Sequence, residues 1–231
     1  MKNKTIEDSL PQDENGQDTV EFLEAVKKQL QLVSTSHPGS LGFHPLIYYY
    51  ARSGQFLSNA FLTSLVFSQR LDKENRKKDF TRVRRRFEEY LHANKLFVTL
   101  TISRLGSGAR SLDRLADLYW SVFKEIHLDH SNDEIFQALV ARNDFVHLKQ
   151  IQIPPPSFDS PPSKRGASRE TKSSAFIREA LKNPVRCSIC DGAIHSNSVT
   201  FDHIKQKGEG GDNQSDNLGP SHPYCNSGFK G

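Results

Sequence analysis

The sequence predicts an α+β chain, with an all-α amino-terminal half followed by a small metal-stapled module. Three observations carry this. Apolar residues recur at helical spacing from about residue 19 to residue 151, with no sustained strand alternation and no internal repeat. A stretch rich in proline and serine, 152–172, then breaks that pattern with linker chemistry. Beyond it fall all three cysteines of the chain, Cys187, Cys190 and Cys225. A length of 231 residues leaves room for one sizeable domain and one small one.

Residues 1–18 are polar and acidic, and read as a disordered lead-in without the apolar segment of a signal peptide. No apolar run approaches the roughly 18–20 residues of a membrane span, so a cytoplasmic protein is expected. The first helix is predicted over Thr19–Val33, where Val20, Phe22, Leu23, Val26, Leu30 and Val33 share a face. After a turn, the aromatic stretch LGFHPLIYYYARSG breaks at Ser53-Gly54, and a second helix is expected from Phe56 to Leu71. The stretch FEEYLHANKLFVTLTISRLGSG reads as two helices or one bent helix, stopped by Gly106 and Gly108. Ser111 is placed as the N-cap of an amphipathic helix carrying Leu112, Leu115, Leu118, Tyr119, Phe123 and Ile126, and Ser131 as the cap of the next. A short helix over Ser173–Lys182 leads into the terminal module, 173–231.

Charge is uneven. Between Lys73 and Arg86 there are eight basic residues against two acidic ones. Such a strip is either a solvated helix face or a surface that neutralises phosphates.

Cys187-Ser-Ile-Cys190 is the spacing at which two thiolates of one tight turn bind the same tetrahedral metal, and His222-Pro-Tyr-Cys225 repeats it. Zinc held by Cys187, Cys190, His222 and Cys225 is therefore expected, with His195 the rival for the histidine position. A segment of about 50 residues is too short to be stable on its core alone, and a metal would supply the difference. An odd cysteine count in this setting argues against a disulfide framework. The segment Val199–Ile204 reads as a strand, GEGGDNQSDN as a polar loop, and Ser221 as the cap of a last short helix holding Cys225 and Asn226.

C-x2-C, then Asp202-His203-Ile204, Gly210-Gly211, Asn217-Leu218, His222-x2-Cys225-Asn226 and Lys230-Gly231 together resemble an HNH endonuclease of the ββα-metal type, over roughly 183–231. The resemblance implies that His203 is the first histidine, Asn217 the central asparagine, and Asn226 the last position, where many members carry histidine. His203 would then be the general base that deprotonates water. Asp202 and the Asn226 side-chain oxygen would hold Mg²⁺ or Mn²⁺, and Asn217 would brace the loop and orient His203. Consecutive strand residues point to opposite faces, so Asp202 and His203 can serve one phosphate only if the strand ends or bulges there.

The helical half is similar, more loosely and over about 40–150, to bacterial restriction-type (GmrSD-like) proteins. That likeness implies action on foreign DNA, with a nucleotide-hydrolysing partner subunit or a missing domain that this chain does not contain. Expected partners are DNA, or RNA by the same chemistry, and no membrane. The competing expectation is a non-catalytic, zinc-stabilised module that binds nucleic acid or protein on a helical scaffold.

Overall fold

The computed structural model describes residues 13–105, 109–150 and 166–230. Eight α-helices and a two-stranded sheet lie among them: α1 (Gln17–Ser34), α2 (Pro45–Tyr48), α3 (Ser58–Lys73), α4 (Lys77–Ala93), α5 (Lys95–Leu105), α6 (Ala109–His127), α7 (Asn132–Ala141), α8 (Arg169–Ala180), β1 (Thr200–His203) and β2 (Leu218–Ser221). The predicted lead-in is shorter than expected, since Asp13 accepts from the Thr19 and Asp18 N–H groups and α1 begins at Gln17. Residues 1–12, the stop at Gly106 and Gly108, and most of the 152–172 linker lie outside the described residues.

Helix α4 organises the helical half. Its residues Phe80, Arg84, Phe87, Glu88 and Leu91 recur at the 3–4-residue spacing of one helical face, and all are buried. Phe80 meets Phe87 edge-on at 5.3 Å, and Phe67 of α3 stacks on Phe87 at 5.5 Å. Phe43, Tyr48, Tyr119 and Phe123 complete a continuous aromatic core, in a size range where buried aromatic pairs dominate packing energetics. Tyr48 and Tyr49 of the YYY run are thus core residues, 2% and 4% exposed.

Of the two readings for 87–108, the chain takes two helices, separated at Asn94. Lys95 is the first residue of α5. Its buried ammonium donates to the carbonyls of Leu46 (2.5 Å), Ile47 (3.2 Å) and Tyr50 (2.6 Å), closing the end of α2, and burial lowers its pKa to about 8. Ser131 caps α7 in a full capping box with Glu134. Ser111 does not cap α6. It lies inside the helix, fully buried, and accepts from Asn59 Nδ2 at 2.7 Å, because α6 starts two residues earlier.

Helix α1 departs from expectation in its packing. Val33 is buried, but Val20, Phe22, Leu23 and Val26 are 37–67% exposed. Among the described residues nothing covers the first turns of its apolar face.

Candidate functional site

The terminal module starts from a knuckle. The chain turns at Asp191, at φ +57°, and Asp191 N–H donates to the Cys187 carbonyl while Cys187 N–H donates to Gly192. Ser188 N–H reaches the Pro220 carbonyl, so the knuckle hangs on β2. β1 and β2 form an antiparallel hairpin pairing Thr200 with Ser221, Asp202 with Gly219 and His203 with Leu218. Ser221 is therefore the last strand residue and not a helix cap; its Oγ bonds Thr200 instead. A π-helical turn, Cys225–Phe229, follows.

These turns bring Cys187, Cys190, His222 and Cys225 together with their donor atoms within 4.8 Å of one another, all four buried. His195 is outside the group, its Nδ1 accepting from Asn197 N–H. His222 Nε2 lies 3.1 Å from the Ala193 carbonyl, which can only accept. The hydrogen thus sits on Nε2, and Nδ1, 3.4 Å from Cys190 Sγ, keeps its lone pair for a metal. Burial, then the nearby Arg84 guanidinium, hold the imidazole below its usual pKa and keep it neutral.

The thiols behave as a set short of positive charge. Hydrogen bonds from Cys190 and Cys225 push Cys187 well down, while donating to Cys187 pushes Cys190 up to about 12 and Cys225 higher still. A tetrahedral Zn²⁺ lets all three ionise, and the Cys3His set is consistent with zinc binding.

The module is bound to the helical half through a buried polar network. Arg84 of α4, 1% exposed, donates from Nε to Glu88 Oε1 (2.7 Å) and from its terminal nitrogens to the carbonyls of Leu41 and Gly42. Glu88 Oε1 also accepts from the Tyr48 hydroxyl (3.2 Å), and Oε2 accepts from Ala193 N–H (2.7 Å). The path runs Tyr48, Glu88, Ala193, His222. Tyr224 N–H to the Ser40 carbonyl (3.0 Å) and Ser227 Oγ to the Pro38 carbonyl (2.6 Å) add further ties.

Much of the basic strip is ion-paired. Arg76 and Arg82 pair with Asp79, Lys77 with Asp72, Arg84 with Glu88, Arg85 with Glu89 and Asp191, and Arg86 with Asp129. Of the strip's basic residues only Arg84 is buried, and Arg85 reaches Asp191 of the terminal module, while Arg82 and Arg85 stay more than half exposed.

At the loop end of the hairpin, β1 stops at His203 without a bulge, and a bend follows at Ile204-Lys205. Asp202 and His203 take different partners. Asp202 Oδ2 accepts from Lys230 Nζ at 2.5 Å, and the same ammonium lies 3.4 Å from the His203 carbonyl. His203 Nε2 lies 3.0 Å from Asn213 Oδ1, an acceptor, so the hydrogen is on Nε2. Nδ1 has no hydrogen-bond partner among the described residues. Asn217 clamps the intervening loop, its Oδ1 accepting from Lys205 N–H (2.8 Å) and its Nδ2 donating to the carbonyls of Lys205 (3.1 Å) and Asp212 (2.8 Å). Gly211 must be glycine, since a Cβ there would lie 1.9 Å from the Lys205 carbonyl oxygen. Asn226 donates from Nδ2 to the Phe201 carbonyl (3.2 Å), which turns its side-chain oxygen away from that bond.

Two residues of this arrangement were not singled out by sequence reasoning, Asn213 and Glu88. Asn213 sits in a loop with several equivalent polar side chains, and Glu88 in a run of charges.

Residues 187–228 match the family model described as HNH endonuclease. The carboxy-terminal segment is therefore an HNH-type domain, carried on a mostly helical chain. No curated protein and no solved structure matches the chain. No helix among the described residues is long and apolar enough to cross a membrane.

Proposed function

We propose that the chain is a metal-dependent endonuclease that hydrolyses phosphodiester bonds in DNA. The observation that carries this reading is the pair of groups at the end of β1. His203 is held through Nε2 with Nδ1 carrying the lone pair, and the neighbouring carboxylate of Asp202 already holds a cation.

His203 Nδ1 would take the proton from the attacking water, a role that suits a neutral imidazole near pH 7. Asn213 orients the ring, and Asn217 fixes the loop that carries Asn213. Asp202 and the Asn226 side-chain oxygen would hold Mg²⁺ or Mn²⁺, for which hard oxygen donors are suited. The fit rests on the ammonium that Asp202 and the His203 carbonyl share, a cation at the place a metal would take. A divalent ion bound there supplies positive charge to the phosphate oxygens and the leaving 3′ oxygen. Zinc at the buried tetrad holds the hairpin and the π-helical turn together and takes no part in the chemistry.

The exposed Lys205 and Lys207, which closely follow His203, add positive charge for a phosphate backbone. We propose action against foreign DNA on the sequence resemblance of residues 40–150 alone.

The test is nicking of a supercoiled plasmid by zinc-loaded protein with Mg²⁺ or Mn²⁺, beside His203→Ala. The wild type should cut. The variant should lose about 10²–10⁴-fold in rate, the range for a general base, with zinc content unchanged. If neither cuts while zinc and fold are intact, the reading fails and the chain is a zinc-stabilised binding module. Faster cleavage of a matched RNA would reassign the substrate.

A further inference from the structure

The lysine of the terminal Lys-Gly pair has no part in the mechanism above, yet it makes the shortest contact with the proposed cation ligand. Lys230 follows the π-helical turn that holds Asn226. Its ammonium lies 2.5 Å from Asp202 Oδ2 and 3.4 Å from the His203 carbonyl oxygen. Asp202 is largely enclosed, with its side chain 12% exposed, whereas Lys230 is 39% exposed. The carboxylate is therefore built into the site, while the ammonium reaches it from outside on a flexible four-carbon stem.

We propose that Lys230 is a positioning residue that occupies Asp202 in the metal-free protein and is displaced by the divalent cation, so that it sets the cation concentration at which the site loads. The proposal rests on the reading of Asp202 as a cation ligand. The physical argument is competition for the same oxygens. An ammonium at 2.5 Å occupies the lone-pair region that a metal would need, and two cations on one carboxylate at that range repel. Lys230 also has a benefit in the free protein, since an enclosed carboxylate with no counter-charge is costly. The ammonium pairs with Asp202 and holds its carboxylate in place until the metal arrives.

The experiment is Mn²⁺ titration followed by electron paramagnetic resonance on the zinc-loaded full chain, with no substrate and no turnover. Lys230→Met should bind Mn²⁺ about fivefold more tightly than wild type, the upper range for releasing an ion pair this exposed. Lys230→Arg should bind no more tightly than wild type. Lys207→Met removes an equal charge from the neighbouring loop and should change the affinity less than twofold. Equal or weaker binding by Lys230→Met overturns the proposal, as does an equal gain in Lys207→Met, which would reduce the effect to net charge. Asp202→Asn separates the two levels. Loss of Mn²⁺ binding there, with no gain in Lys230→Met, overturns this proposal alone. Unchanged binding in Asp202→Asn overturns the metal assignment of the proposed function, and this proposal with it.

Discussion

Replacing Glu88 by alanine should destabilise the whole chain, the terminal module included. In the native protein the two Glu88 oxygens accept from Arg84 Nε, the Tyr48 hydroxyl and Ala193 N–H. Alanine leaves the Arg84 guanidinium, 1% exposed, with only the carbonyls of Leu41 and Gly42. Breaking a buried pair by removing one partner costs about 3–5 kcal/mol. The Tyr48 hydroxyl and Ala193 N–H, left unpaired, cost about 1 kcal/mol each. The expected loss is roughly 5–7 kcal/mol, comparable to the entire stability of a marginal domain, or a fall in Tm of about 10–25 °C at this chain length. Calorimetry of zinc-loaded protein measures it. Replacing the pair together, Arg84→Met with Glu88→Leu, should recover much of the loss, because no charge is then left buried. A shift under about 3 °C for Glu88→Ala would refute the reasoning, since the network would then be satisfied by something other than these partners.

Three further outcomes follow from single sites. Gly192→Ala places a Cβ 2.8 Å from Arg84 Nε and should cost about 1–3 kcal/mol by overpacking, read from chemical denaturation. Asn217→Ala removes all three loop bonds and should lower cleavage about 10–100-fold, as for other groups that orient a ligand or base, with zinc content unchanged. His44 is half-buried and its pKa is lowered to about 4 from 6.5, mainly by desolvation. As pH falls the unfolded chain takes this proton first, so the contribution is fully present above about pH 6.5 and is lost as pH drops toward 4. It amounts to about 3 kcal/mol at the end of that window. Wild type and His44→Gln, compared at each pH so that acid effects on the thiolates cancel, should differ in slope only there.

What the sequence made legible follows from how few jobs a residue type can do. Three cysteines and one histidine at paired spacing have little reason to be so placed except a metal, and the four meet as expected. Helix existence was legible where the apolar period ran for three turns, and α6 buries Leu115, Leu118, Tyr119, Phe123 and Ile126 of the expected face, whereas α3 buries Ala60, Thr63, Ser64 and Phe67 and leaves the expected Phe56 exposed. Arg84 and Glu88 were hidden for the opposite reason. They sit in a run of charged residues that reads as solvated, and only the fold shows that their helical positions fall on the buried stripe with Phe80 and Phe87. Helix α1 inverts the case: its apolar period is plain, yet most of that face is exposed. Asn217 could be chosen from the loop by motif, but Asn213 could not, because its role depends on where ten residues of loop return relative to His203.

The network also bears on how the two halves divide their work. Ala193 donates its N–H to Glu88 and accepts at its carbonyl from His222 Nε2. One peptide segment thus joins α4 to the imidazole of the metal tetrad, and the outer hydrogen bond of a metal-binding histidine fixes both its tautomer and its basicity. The helical half therefore belongs to the scaffold of the metal centre and is more than a tether for it. Arg85 of α4 pairs with Asp191 of the terminal module and the Arg84 side chain packs against Gly192, so these arginines brace that scaffold. Under the proposed function this leaves substrate to the other end of the hairpin, where His203, Lys205 and Lys207 face the solvent side of the loop. Substitutions at Arg84 should accordingly act on stability and zinc retention, and those at Lys205 and Lys207 on substrate affinity and its salt dependence.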